Sequence, residues 1–127
     1  FPVEVISIAH PEVEIQIGNL FNAVGNMEMF NRYMAHASKR TDMNIQQSYT
    51  VGQLLLENSD DTKLAVNHFY DLSVQFPDLF EIIQSLSLAY IKNMQIEDAK
   101  KLMEDWILLH PNHNEAKEWL ELIKSQV

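Results

Sequence analysis

The histidines are the residues of this chain whose chemistry best suits metal binding or proton transfer. His110 and His113 form the closest histidine pair, and Pro111 stands between them. A zinc site would need both rings on one helix face with a third ligand nearby, and proline interrupts a helix at this point. We therefore expect a structural loop here and no metal site. His68 recurs at helical spacing with apolar residues, which predicts a histidine buried in the core or at its edge and not a catalytic base.

The carboxylates and hydroxyls also lack a catalytic arrangement. Adjacent carboxylates occur at Asp60-Asp61, Glu97-Asp98 and Glu104-Asp105. Neighbouring residues on a helix point in different directions, so such pairs seldom act together as an acid and a base. The serines have no nucleophile-elbow context, and the chain has no glycine-rich phosphate loop. We predict a protein that is not an enzyme and binds no cofactor.

Charge and composition argue against two classes of partner. Eighteen acidic residues stand against nine basic ones, which gives a formal charge of −9 over 127 residues. Such a chain repels a phosphate backbone, so we expect no nucleic-acid partner. No apolar run approaches the ~18 to 20 residues that cross a bilayer, so we expect no membrane span in this segment. The absence of cysteine suits a reducing cytosol but does not decide the compartment.

The first residues differ from the rest of the chain. The segment from Phe1 to Ala9 is rich in β-branched residues and contains Pro2, and Pro11 follows it. We predict an extended lead-in over residues 1-10 that lies on the first helices. The chain starts without methionine, and this segment lacks the organisation of a signal peptide. We interpret the sequence as a piece of a larger protein.

In the remaining residues, the number and spacing of helix-breaking residues are those of a helical protein. Three glycines and four prolines are too few for the closely spaced turns of an all-β domain. Apolar residues recur instead at steps of three and four. Predicted breaks fall at Gly25-Asn26, Thr41-Asp42, Asn58 to Asp61, Phe76-Pro77 and His110 to Asn112. The pattern predicts about seven helices, one of them capped by Asp78.

A shift of 34 residues aligns the chain with itself. The aligned pairs are Tyr49 with Ile83, Leu56 with Tyr90, Ala65 with Ala99, Phe69 with Met103, and Pro77 with Pro111. A small residue before each proline is needed where the two helices of a pair cross closely. The sequence therefore predicts a repeat of helix pairs.

This pattern resembles the tetratricopeptide repeat family, whose units carry an aromatic residue, an alanine, a large apolar residue and a proline in that order. Tyr90, Ala99, Met103 and Pro111 match that order. The resemblance implies an all-α fold of antiparallel helix pairs stacked as a short right-handed α-solenoid over residues 11-127. The implied repeats are about 11-45, 46-79 and 80-113, followed by a capping helix over 114-125.

In that family the first helix of each pair lines a concave groove that binds partner segments. The resemblance places these residues along the groove: Ile15, Asn19, Asn22, Gln47, Thr50, Leu54, Asn58, Gln84, Leu88 and Lys92. Side-chain amides can hydrogen-bond a peptide backbone, while the aliphatic residues offer apolar contacts. We expect no clamp for a terminal carboxylate, because Ile15, Thr50 and Gln84 stand where basic residues would be needed. A protein or peptide partner is the expected ligand.

Two other roles stay open at this point. The chain could be a non-catalytic accessory or spacer domain of a larger protein, membrane-bound or enzymatic, in which the groove positions are merely solvated. The start without methionine motivates this alternative. Homo-oligomerisation is also open, because the end of a helical stack exposes an apolar face.

Overall fold

A computed structural model describes residues 10–125 of the chain. Seven helices and no strand occur in this range: α1 (Pro11–Ala23), α2 (Met27–Ser38), α3 (Ile45–Asn58), α4 (Thr62–Gln75), α5 (Phe80–Lys92), α6 (Ile96–Leu109) and α7 (Asn114–Lys124). The predicted all-α class is confirmed. None of these helices is long and apolar enough to cross a membrane. The predicted lead-in over Phe1 to Ala9 lies outside the described residues.

The chain divides into two compact units, Phe1–His68 and Phe69–Val127. In the first unit α1 packs on α2, and α3 contacts both of these helices. In the second unit α6 packs on α5 and on α7. Each unit thus has a core built from helices that follow one another in the sequence.

Local capping explains several helix ends. Helix α3 begins with a capping box, in which the Asn44 side chain accepts from the Gln47 backbone N–H at 2.8 Å and the Gln47 side chain accepts from the Asn44 backbone N–H at 3.1 Å. Gly25 has a φ of 80° in the turn between α1 and α2. A side chain there would strain the backbone, so glycine suits this turn.

The predicted cap at Asp78 is wrong. Helix α5 begins at Phe80, with Leu79 at the N-cap and no side-chain hydrogen bond to the cap. Asp78 lies in the turn that follows Pro77, one residue too early to serve as the N-cap. Leu79 is 39% exposed at this junction.

Helix starts recur at a near-constant interval. The helices α1, α3, α5 and α7 begin at residues 11, 45, 80 and 114. The helices α2, α4 and α6 begin at residues 27, 62 and 96. Each interval within a series is therefore 34 or 35 residues, which matches the shift that aligned the sequence with itself.

Small residues lie at fully enclosed positions. Ala65 and Ala99, separated by one 34-residue shift, are 3% and 0% exposed. In the first unit, a Cβ atom on Gly18 would collide with the Met34 side chain and stand 3.2 Å from Tyr33 Cβ. Helices α1 and α2 therefore approach closely where α1 has no side chain.

Leucine in place of Ala99 is expected to lower the free energy of unfolding by about 1–3 kcal/mol. The added carbons do not fit, because Ala99 of α6 is fully enclosed by its neighbours in the core. Denaturant titration followed by helical circular dichroism measures this change. Glu104→Leu is the matched control, since Glu104 is exposed on the same helix, and its effect is expected to stay within about 0.5 kcal/mol. Equal stability of Ala99→Leu and the parent chain would contradict a tight core at this position.

A buried carboxylate connects α1 to the end of α2. Glu14 is 0% exposed, and its Oε1 lies 3.3 Å from Nη1 of Arg40. Its Oε2 lies 2.8 Å from Nδ1 of His36, although no hydrogen bond of good geometry reaches this oxygen within the described residues. Arg40 therefore supplies the main compensation for the buried charge.

Arg40 is in turn held by Asp42. Its Nε and Nη2 donate to the two Asp42 carboxylate oxygens at 2.8 and 2.7 Å, a bidentate pair. The hydrogen bonds to Asp42, followed by those to Glu14, raise the pKa of the Arg40 guanidinium above its usual value. The hydrogen bonds that Arg40 donates to Asp42 lower the pKa of the Asp42 carboxyl. One guanidinium therefore joins α1 to the turn between α2 and α3.

Arg40→Ala is expected to lower the free energy of unfolding by about 3 kcal/mol, because Glu14 would keep a buried charge without its cation. Arg32→Ala is the control, since Arg32 pairs with Glu28 at 3.3 Å on the surface, where the two side chains are 43% and 69% exposed. Its expected cost is below about 1 kcal/mol. Thermal and denaturant unfolding of both variants measure the difference, and equal costs would contradict the role given to Arg40.

Candidate partner-binding site

An apolar groove in the second unit contains one of the predicted binding residues. It has a volume of about 300 Å³ and is lined by Leu88, Ile91, Trp119, Leu122 and Ile123. Leu88 and Leu122 are 37% and 59% exposed, whereas Ile123 is 2% exposed. The two leucines therefore offer the accessible apolar surface, and Ile123 belongs to the closed base of the groove.

Helix α7 supplies two apolar surfaces at once. Ala116 and Leu120 belong to the core cluster that also contains Met103 and Trp106 of α6. Trp119 packs against the same cluster and also lines the groove, together with Leu122 three positions further along the helix. Leu122 is 59% exposed, so the groove extends from the edge of the core-facing side of α7 toward its surface. Packing on α6 thus fixes α7 so that its second apolar surface lies beside α5.

A chain of hydrogen bonds orients Trp119. Its indole N–H donates to Ser87 Oγ at 2.7 Å, and the Ser87 hydroxyl donates to the Gln84 backbone carbonyl at 2.6 Å. Ser87 is 0% exposed, so the polar edge of the indole is satisfied inside the protein. The remaining ring surface is apolar. The groove can therefore recognise apolar side chains without supplying a hydrogen bond from Trp119.

The other predicted aliphatic contacts differ in exposure. Ile15 is 5% exposed, so it belongs to the core of the first unit and offers a ligand almost no surface. Leu54 is half-buried on α3. Of the three predicted aliphatic contacts, Leu88 is the one that lines the groove of the second unit.

Several predicted polar contacts already have hydrogen-bond partners within the protein. Gln47 completes the capping box of α3, and its side-chain N–H also donates to Glu12 at 3.4 Å. The Thr50 hydroxyl and the Asn58 amide each donate to a backbone carbonyl one turn earlier, at 2.9 and 3.3 Å. These donors would have to exchange partners before they could bind a peptide backbone.

The remaining predicted positions are distributed between the two units. Asn19 is exposed and Asn22 half-buried on α1, while Gln84 is half-buried and Lys92 exposed on α5. The first unit thus contains seven of the predicted residues: Ile15, Asn19, Asn22, Gln47, Thr50, Leu54 and Asn58. The second unit contains Gln84, Leu88 and Lys92.

The contribution of α7 is what sequence reasoning missed. The family resemblance implied only a capping helix over residues 114-125. The signal was nevertheless present, because one further shift of 34 residues from Leu88 reaches Leu122. The same shift in the other direction reaches Leu54 and then Leu20. Leu20, at the corresponding position of α1, is 61% exposed.

The histidine loop after α6 has a structural role. The Trp106 indole N–H donates to His113 Nδ1 at 2.7 Å, and the Trp106 ring stacks on His110 with centroids 3.9 Å apart. Phe80 contacts the His113 ring in an edge arrangement at 4.4 Å. The predicted structural loop is confirmed. Within residues 10–125, no three His, Asp or Glu side chains are arranged to hold a metal ion.

His68 also has the environment that its spacing predicts. It is 6% exposed, and its Nε2 lies 2.6 Å from the Ser48 backbone carbonyl. Because a carbonyl oxygen only accepts, the ring must carry its proton on Nε2 to make this hydrogen bond. The buried histidine is confirmed.

Comparison with known proteins assigns no family. No protein-family model matches the chain, and no curated protein matches it. The tetratricopeptide resemblance therefore stays a prediction.

Ser87→Ala is expected to lower the free energy of unfolding by about 1 kcal/mol, because the half-buried Trp119 indole N–H loses its acceptor. The indole proton resonance of Trp119 should move at the same time. Ser73→Ala is the matched control: its hydroxyl also donates to a backbone carbonyl three residues earlier, at 2.6 Å. An unmoved indole resonance in Ser87→Ala would contradict the proposed orientation of Trp119.

Proposed function

We propose that this chain is a protein-interaction module of the tetratricopeptide type, and that its second unit binds an apolar segment of a partner protein. The recurrence of helix starts every 34 or 35 residues supports the repeat architecture. The enclosed Ala65 and Ala99 support it further, because they stand where paired helices of that family cross. A right-handed α-solenoid is the arrangement that such pairs would form.

The groove between α5 and α7 is the observation that carries the proposal. Exposed leucines are ordinary when they occur singly. Here Leu88 and Leu122 line one concave surface together with Trp119, and a concave apolar site with an oriented tryptophan is typical of binding surfaces. A spacer has no need of such a surface, so this observation favours binding over the accessory role.

Binding in this groove would rest on apolar burial. A partner side chain that enters between Leu88 and Leu122 displaces water from both leucines and from the Trp119 ring. Each Å² of apolar surface removed from water contributes roughly 25 cal/mol. The groove spans one helical turn on each helix, from Leu88 to Ile91 and from Trp119 to Ile123. It therefore has room for one or two large side chains of the partner.

Selection from a random peptide library displayed on phage tests the proposal. The unmodified chain is expected to enrich peptides that share a large apolar residue. Leu88→Asp and Leu122→Asp should each lower the affinity for those peptides by about tenfold to a hundredfold, because the charged side chain removes an apolar contact worth about 1.5–3 kcal/mol.

Leu108→Asp is the matched control for these substitutions. Leu108 is 80% exposed on α6 and is not among the residues that line the groove, so its replacement should leave peptide affinity unchanged. Circular dichroism checks that all three variants keep their helical content. Peptides that bind the parent chain and both groove variants equally would overturn the assignment of the groove.

A further inference from the structure

Resting on the proposed function, we infer that the partner segment is cationic, with lysine or arginine next to a large apolar anchor residue. The anchor would occupy the apolar groove. The basic residues would face carboxylates in the first turn of α5 and the first two turns of α7. Apolar binding in the groove does not depend on these charges, so the preference for a cationic segment is a separate claim about the second unit.

Two carboxylates lie on the same face of α7 as Leu122. Glu118 and Glu115 precede Leu122 by four and seven positions, and both side chains are exposed. With a rise of 1.5 Å per residue, they stand about 6 and 10 Å from Leu122 along the helix axis. Within residues 10–125 neither carboxylate makes an ion pair with a lysine or arginine.

A third carboxylate has the matching position on α5. Glu81 precedes Leu88 by seven residues and is exposed. Helices α5 and α7 both pack on α6 through short turns, so α5 and α7 run in the same direction. The three carboxylates therefore lie toward the same end of the groove, ahead of both leucines.

The opposite end of the groove has basic residues. Lys92 follows Leu88 by four positions, and Lys124 follows Leu122 and lies 3.6 Å from Glu121. The groove is thus acidic at the N-terminal ends of α5 and α7 and less acidic at their C-terminal ends. A partner with its basic residues on one side of the anchor would bind in one orientation, because reversal would place them near Lys92.

The geometry also sets the spacing within the partner. A basic side chain must lie about 6 to 10 Å from the anchor, which corresponds to two or three residues in an extended chain at about 3.3 Å per residue. In a helical segment the same distance corresponds to about four to seven residues. Either form places one apolar anchor and at least one basic residue in a single short segment.

The charge of the whole chain argues against a second copy of itself as the occupant. Two chains that each carry a formal charge of −9 repel one another. A cationic segment is attracted instead, and the attraction also speeds its encounter with the groove. The complementary partner is therefore a different molecule of opposite charge.

Fluorescence anisotropy with three labelled peptides tests the inference. Each peptide has two leucines three positions apart, flanked on both sides by lysines, by serines or by glutamates. We expect the lysine peptide to bind about fivefold to tenfold more tightly than the serine peptide at low salt, since each exposed ion pair contributes a factor of about 1.5 to 5. The glutamate peptide should bind most weakly. The lysine advantage should shrink as salt rises.

Glu118→Gln should lower the affinity for the lysine peptide by about twofold to fivefold and leave the affinity for the serine peptide unchanged. Glu104→Gln, which removes an equal charge from an exposed position of α6, should change neither affinity. Sedimentation of the peptide-free chain should show no self-association that depends on Leu122.

The outcomes separate the two proposals. If the lysine and serine peptides bind equally and both are lost in Leu88→Asp, the groove stands and the cationic partner is wrong. Failure of the lysine peptide to bind also overturns the inference, whatever the library selection yields. If Leu88→Asp binds the lysine peptide as well as the parent chain does, the attraction comes from the acidic surface in general, and both proposals fail. Self-association that depends on Leu122 would also overturn the inference, because the occupant of the groove would then be a second copy of this chain.

Discussion

Close approach of short helices at small side chains is the constraint on which the rest of this structure depends. A helix of 11 to 14 residues has marginal stability alone and must bury one face against a neighbour. Ala99 in the second unit and Gly18 in the first provide enclosed positions with little or no side chain. Once α6 is packed in this way, α7 packs on it, and the groove beside α5 follows from that placement.

The two units meet this constraint with different additional interactions. In the first unit, a buried carboxylate on α1 is compensated by Arg40, which Asp42 holds in a bidentate pair. In the second unit, aromatic contacts and a hydrogen bond connect α6 to the turn before α7, through Trp106 and His113. The first arrangement depends on every member of a set of charges, because loss of Arg40 would leave Glu14 buried without its cation. The second depends on ring packing and on one hydrogen bond.

Structural features that neighbouring residues determine could be predicted from the sequence. The breaks between helices follow from capping residues, glycine and proline within a few positions, so most helix ends were predicted to within one or two residues. The prediction that Asp78 caps α5 was wrong because the turn at Pro77 extends one residue further, so Leu79 occupies the N-cap position. The burial of Glu14 could not be predicted, since its partner Arg40 lies 26 residues away. Leu88 was identified from its repeat position, but the role of Trp119 depends on how α7 packs.

The hydrogen bond from Trp119 to Ser87 has a consequence for the time that a ligand would stay bound. Because the indole N–H has its acceptor inside the protein, an empty groove leaves no unsatisfied donor, and a filled groove gains no hydrogen bond from this ring. At this ring the free and occupied states would then differ chiefly in the hydration of apolar surface, with the change in heat capacity that accompanies it. Release of an apolar anchor would break no hydrogen bond to Trp119, so the residence time of a ligand would depend on its apolar contacts and on its ion pairs beside the groove.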